Sequence, residues 1–139
     1  MNESSQRSFG LAQIGQIAVP VTDIDRSIGF YRDVLGMRFL FQASPGLGFF
    51  DCAGVRLMLD GPAGAQAGNG SVIYYKVEDL TAACEILSAR GVVFEAAPHL
   101  IASLPDHDLW MAFLRDPDLN LLALMSEVPR KQPGGRVSP

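Results

Sequence analysis

The alternation of apolar and polar residues occurs twice along this chain. Ile17-Ala-Val-Pro-Val-Thr-Asp23-Ile24 is an alternating run that ends on an aspartate, and Ile73-Tyr-Tyr-Lys-Val-Glu-Asp79-Leu80 repeats it fifty-six positions later. Such alternation predicts a half-buried strand, and an Asp after the strand predicts a helix N-cap. In the first copy, Ile24, Ile28, Tyr31 and Leu35 share one helical face, so a helix is expected from Asp23 through Leu35, ending at Gly36. In the second, Leu80, Ala83, Cys84 and Leu87 turn inward on a helix from Asp79 to Arg90 that stops at Gly91. Three short strands should follow each helix. In the first copy these are Met37 to Gln42, Gly48 to Cys52 and Val55 to Asp60, with turns at Ser44-Pro-Gly and Ala53-Gly54. In the second they are Val92 to Ala96, Leu109 to Arg115 and Leu119 to Met125, the last two joined at Asp116-Pro117-Asp118. A unit of this kind cannot bury its sheet alone, so two copies imply packing on each other, with function in the cleft between them.

The fold class expected is α+β, as two βαβββ modules with mixed curved sheets. The boundaries follow the punctuation. Residues 1–12 are expected to be flexible. A single domain spans 13–127, with module one at 13–60, a Gly/Ala/Pro-rich linker at 61–70 and module two at 71–127. Residues 128–139 are expected to be disordered. The modules differ in one respect. Ala97 to Asp108 reads as an extended connection, and both histidines, His99 and His107, fall in it. Long loops on a rigid scaffold are where recognition groups tend to sit.

Composition narrows the function. The chain has 139 residues, enough for one domain with a real core. Its net charge of −4, without a basic cluster, argues against nucleic acid as a partner. Its apolar runs are too short to span a bilayer, so no membrane partner is expected. No secretory leader is visible, and Cys52 and Cys84 form neither a metal motif nor a disulfide framework. A cytoplasmic setting is the expectation.

The run from Ile14 to Gly36, with Phe30-Tyr31-Arg-Asp-Val-Leu35-Gly36 as its specific part, resembles the opening signature of the vicinal oxygen chelate superfamily. That superfamily holds glyoxalase, bleomycin-resistance, fosfomycin-resistance, epimerase and ring-cleaving dioxygenase proteins. Phe113-Leu-Arg-Asp116-Pro117-Asp118-Leu-Asn120 resembles its closing signature, with Leu119 where the pattern has Gly. A bulky residue is strained if that position has positive φ, so the turn could be built differently. The resemblance implies a homodimer, which exposed sheet edges also favour.

In the catalytic members a divalent metal is held by four side chains, usually His, Gln or Glu. Carried over by position, these fall on Gln16, on Leu57 (or Met58 with a slip of one), on Val72 and on Ala123. One donor and three alkyl groups do not make a divalent site. No metal and no other cofactor is therefore expected.

With Gln16 in the cleft, Tyr74 should share its face, and Leu57, Leu59, Leu121, Ala123 and Met125 should line it. Such a lining suits a small, partly apolar or aromatic molecule. Trp110 could stack on a planar ligand or pack in the sheet core. The candidate ligand-binding residues are thus Gln16, Leu57, Val72, Tyr74, Trp110 and Ala123. His107 and His99 are the candidate catalytic groups, as a general base or donor at the cleft mouth, and the alternative is a pair of loop histidines. The leading reading is a metal-independent cleft protein that binds a small molecule, resembling the drug-sequestering branch of the superfamily. The alternative is a lyase, isomerase or ring-cleaving enzyme using His99 or His107 with Gln16 and a non-standard metal site. A third reading is an interaction module with a side-chain-filled cleft.

Overall fold

The computed structural model describes residues 9–43, 46–61, 68 and 70–130. Eight strands form two four-stranded sheets. Module one contains β1 (Gln16–Pro20), α1 (Ile24–Gly29), a π-helical turn (Phe30–Val34), β2 (Arg38–Ala43), β3 (Leu47–Cys52) and β4 (Val55–Asp60). Module two contains β5 (Ile73–Lys76), α2 (Leu80–Ala89), β6 (Phe94–Ser103), β7 (His107–Arg115) and β8 (Leu121–Pro129). The sheet orders are β1-β4-β3-β2 and β5-β8-β7-β6. In each module the first strand pairs parallel to the last, and the other pairs are antiparallel. This is the α+β arrangement of two βαβββ units expected from the repeat.

Both helices begin as the aspartates dictate. Asp23 accepts from the Arg26 amide at 3.1 Å, and Asp79 accepts from the Ala82 amide at 3.0 Å. Both stop at a glycine in the left-handed region, Gly36 at φ +74 and Gly91 at φ +96.

One face of each sheet is covered by its helix. There Val19, Ile28, Tyr31, Phe50, Leu57 and Leu59 of module one join Leu80, Leu87, Leu114, Leu122 and Leu124 of module two in a single core. Alternation sends the intervening residues to the opposite, open face. Polar ties lock the two modules side by side. The buried Asp118 carboxylate accepts from the Thr22 amide at 3.1 Å, from the Thr22 hydroxyl, from Ser27 Oγ at 3.1 Å and from Arg26 at 3.0 Å. Tyr31 donates to Asp116 at 2.8 Å, and Asn120 donates to the Pro20 carbonyl at 2.9 Å. Burial, with the Asp116 charge beside it, raises the Tyr31 pKa far above the ordinary phenol value.

Three elements differ from expectation. The first helix does not run as α-helix to Leu35. It widens into a π turn at Phe30, where the Leu35 amide bonds back to the Phe30 carbonyl. The apolar spacing cannot separate the two forms, since Tyr31 and Leu35 face inward in either. The long connection 97–108 is mostly strand. β6 runs to Ser103 and β7 starts at His107, with only 104–106 between them. Pro98 and three register shifts disturb the period of this edge strand, which hides it in the sequence. Strand β8 extends beyond residue 127, to Pro129. Pro129 pairs with His107, and the Arg130 amide donates to the Asp106 carbonyl at 3.0 Å. Residues 131–139, residues 1–8, Ser44-Pro45 of the first turn and most of the linker lie outside the described residues.

Candidate functional site: the open sheet face

Gln16 lies exposed on the open face, and its amide reaches the Met58 sulfur at 3.7 Å. The parallel pairing of β1 with β4 sets this neighbourhood, because Gln16 opposes Arg56 and Ala18 opposes Met58. Leu57 is 2% exposed and points to the helix-covered core, as does Leu59. The expectation that Leu57 lines the cleft is therefore corrected to Met58, one residue on. On a strand, one residue is the whole difference between faces.

In module two, Tyr74 pairs with Ala123 and is 49% exposed. Val72 lies just before β5, half-buried, on the same side by alternation. Ala123 also opposes Phe113, and the Phe113 ring meets Tyr74 edge-on at 6.4 Å. Met111 and Met125 oppose each other two residues away on the same face. The open face of module one carries Phe41 against Phe49 at 4.9 Å, with the Arg56 guanidinium over the Phe49 ring at 5.7 Å. Gln16 and Met58 thus share the open face of module one, and Val72, Tyr74 and the fully buried Ala123 share that of module two with Phe113, Met111 and Met125.

Trp110 does not join them. It packs against the helix-covered core and borders a groove with Glu78, Asp79, Thr81 and Ser126 at the start of α2. Alternation along β7 places Phe113 and Met111 on one face and Trp110, Ala112 and Leu114 on the other. The core-packing alternative for Trp110 is the one observed.

The histidines occupy strands rather than a loop. His99 is on β6, opposite Met111, and its ring meets Phe113 at 6.2 Å. His99 Nδ1 is 2.7 Å from the Ala97 carbonyl, so that nitrogen carries the proton. His107 opens β7 at the hairpin end, with Nδ1 2.7 Å from Asp106. The hydrogen bond from His107 holds the Asp106 carboxyl below its ordinary pKa. Four residues of strand, about 13 Å, separate His107 from the level of His99. The two therefore cannot share one ligand atom or one ion, and only His99 stands beside the aromatic cluster.

Phe113 and Met111 were not assigned to this face from sequence, although the signal existed, and Met58 was named only as the alternative to Leu57. Once Tyr74 and Ala123 are placed, strand parity with β8 puts Phe113 and Met111 beside them.

Residues 13–124 match the family model of the Glyoxalase/Bleomycin resistance protein/Dioxygenase superfamily. The chain belongs to this superfamily. No curated protein sequence matches it. Among solved structures, TnmS3, an antibiotic binding protein from Streptomyces sp. CB03234, is 24% identical with TM-score 0.69, over 86% of this chain and 98% of that one. Lactoylglutathione lyase from Agrobacterium tumefaciens is 21% identical with TM-score 0.66, over 84% and 95%. A superfamily member from Sphaerobacter thermophilus is 22% identical with TM-score 0.69, over 84% and 98%. At these identities the likeness is one of fold.

Within the superfamily's frame, the positions at which the resemblance implies metal ligands hold Gln16, Met58, Val72 and Ala123. They offer one amide, one thioether and two hydrocarbons. This set does not fit a hard divalent ion. Among the described residues, no group of three or more His, Cys, Asp or Glu side chains is arranged to hold one either. No helix among the described residues is long and apolar enough to cross a membrane.

Proposed function

We propose that this superfamily member binds a small, partly aromatic molecule on the open face of its paired sheets, without a metal. One observation carries the reading. On the open face of module two Tyr74 and Phe113 present ring surfaces beside Met111 and Met125, the open face of module one offers the Gln16 amide and Met58, and the metal-ligand positions carry mostly hydrocarbon. Aromatic edges and polarizable thioethers suit a planar apolar ligand, and one amide suffices to orient it.

The open face of one chain is a half-site. Tyr74 and Phe41 remain about half exposed there. We infer that a second copy of the chain supplies the facing wall, in a homodimer with two symmetric sites. A cytoplasmic setting, with neither nucleic acid nor membrane as partner, belongs to the same proposal.

The enzymatic alternative keeps one supporting observation, which is that His99 shares the open face with Phe113. In that reading His99 Nε2 acts as the base, and His99→Ala abolishes turnover while leaving binding intact.

Calorimetric titration with 1-naphthol tests the binding reading. Wild type is expected to bind, and Tyr74→Ala and Phe113→Ala are each expected to weaken binding about tenfold or more, as loss of an aromatic anchor does. Trp110→Phe, on the far side of the sheet, should leave affinity unchanged. Equal affinity in the Tyr74 and Phe113 variants contradicts the proposal.

A further inference from the structure

Four cations are carried on the described strands, Arg38, Arg56, Lys76 and Arg115. Each is the chain neighbour of a residue packed in the covered core, namely Phe39, Leu57, Tyr75 and Leu114, so strand parity puts all four on the open faces. Three are neutralised in place. Arg38 faces Asp51 at 4.0 Å, Lys76 faces Glu127 at 3.1 Å, and Arg115 meets Glu95 at 2.6 Å. Arg56 makes no ion pair within 4.0 Å among the described residues. Its cross-strand partner Asp51 is engaged elsewhere, with the Gly54 amide at 3.2 Å and with Arg38. Asp60, a second carboxylate of this face, is four residues further along β4, about 13 Å away. The Arg56 guanidinium lies instead over the Phe49 ring at 5.7 Å, and Phe49 packs on the half-exposed Phe41 at 4.9 Å. On β1 the residue paired with Arg56 is Gln16, whose amide nitrogen meets only the Met58 sulfur, a weak acceptor, at 3.7 Å.

A guanidinium stacked on a ring is held in orientation while its N–H edge stays free, the arrangement that receives a carboxylate through two parallel hydrogen bonds. The Gln16 amide adds a donor from the adjacent strand. Two neighbouring donor side chains, one of them charged, call for an acceptor-rich anion, and the Phe41 ring beside them calls for an aromatic body. A neutral ligand would leave the Arg56 charge unanswered. We propose that Arg56 is the anion-recognising residue of the open face, and that the molecule bound there is a planar aromatic carboxylate whose carboxylate accepts from Arg56 and Gln16. This assignment rests on the open-face binding reading and narrows the class of its ligand. It also separates Arg56 from Arg38, Lys76 and Arg115, whose charges are spent on carboxylates of their own sheets.

Calorimetric titration of the full chain compares 1-naphthoate with 1-naphthamide, which has nearly the same shape and no charge. Wild type is expected to bind 1-naphthoate about tenfold more tightly, the lower end of what a hydrogen bond to a charged group contributes. Arg56→Gln should equalise the two affinities. Lys76→Gln removes the same charge from an ion-paired cation and should keep the tenfold preference. Equal affinities in wild type, a preference that survives Arg56→Gln, or a preference lost equally in Lys76→Gln would each overturn the assignment of Arg56. Those three results leave the open-face reading standing, since the amide still binds. Failure of 1-naphthoate, 1-naphthamide and 1-naphthol alike would overturn that reading and the assignment with it.

Discussion

Leu119 adopts φ +69 and is 65% exposed, in a turn where Asp116, Asp118 and Asn120 are buried. The left-handed region costs a non-glycine residue roughly 1–2 kcal/mol. The sequence alone raised the prospect of a differently built turn, and the structure keeps the turn and accepts the strain. The Asp116 carboxylate explains how. It accepts from the amides of Asp118 and Asn120, both at 2.9 Å, and so fixes the backbone on either side of Leu119. Leu119→Gly should raise stability by about 0.5–1 kcal/mol after the added chain entropy of glycine is subtracted. A thermal melt should show a rise of about 2–4 °C. A fall would mean that Leu119 makes a contact that matters elsewhere. At this scale the sequence was legible where a residue's role is local. The caps at Asp23 and Asp79 and the stops at Gly36 and Gly91 needed only their neighbours. Leu57 was misplaced because its role depends on strand register, which a partner strand sets.

The β7–β8 turn and the start of α1 are joined through Asp118. Four donors from residues 22 to 27 converge on that one carboxylate, across more than ninety residues of chain. Asp118→Ala leaves the fully buried Ser27 hydroxyl and the Thr22 amide without this acceptor. The expected loss is about 3 kcal/mol, in line with removal of one partner from a buried hydrogen-bonded charge. Urea denaturation measures it, and a loss below about 1 kcal/mol would show that the modules are held by apolar packing alone. Elements were legible where period and punctuation agreed, as in β4, whose bounds match the alternation from Val55 to Asp60. They were illegible where the backbone departs from its period. The bulged β6 around Pro98 read as a loop, and the π turn after Gly29 read as plain α-helix. The histidines were consequently assigned to a long connection when each lies on a strand.

At the scale of the molecule, the duplicated pattern and the two signature runs made the paired βαβββ architecture readable before any coordinates. The surface that carries function was only partly so. Alternation linked Gln16 to Tyr74, but it could not tell which side the helices would cover, so Trp110 was grouped with a face it does not share. The covered side holds the core, and the open faces carry the rings and thioethers of module two and the Gln16 amide of module one. That division is the basis of the functional account. A crystal structure of the protein with 1-naphthol tests it most directly. The account predicts the naphthol rings against Tyr74 and Phe113, within hydrogen-bonding reach of Gln16, with a second copy of the chain closing the site. Naphthol seated beside Trp110 on the covered face, or a metal ion ligated by Gln16 in place of the aromatic molecule, would contradict it.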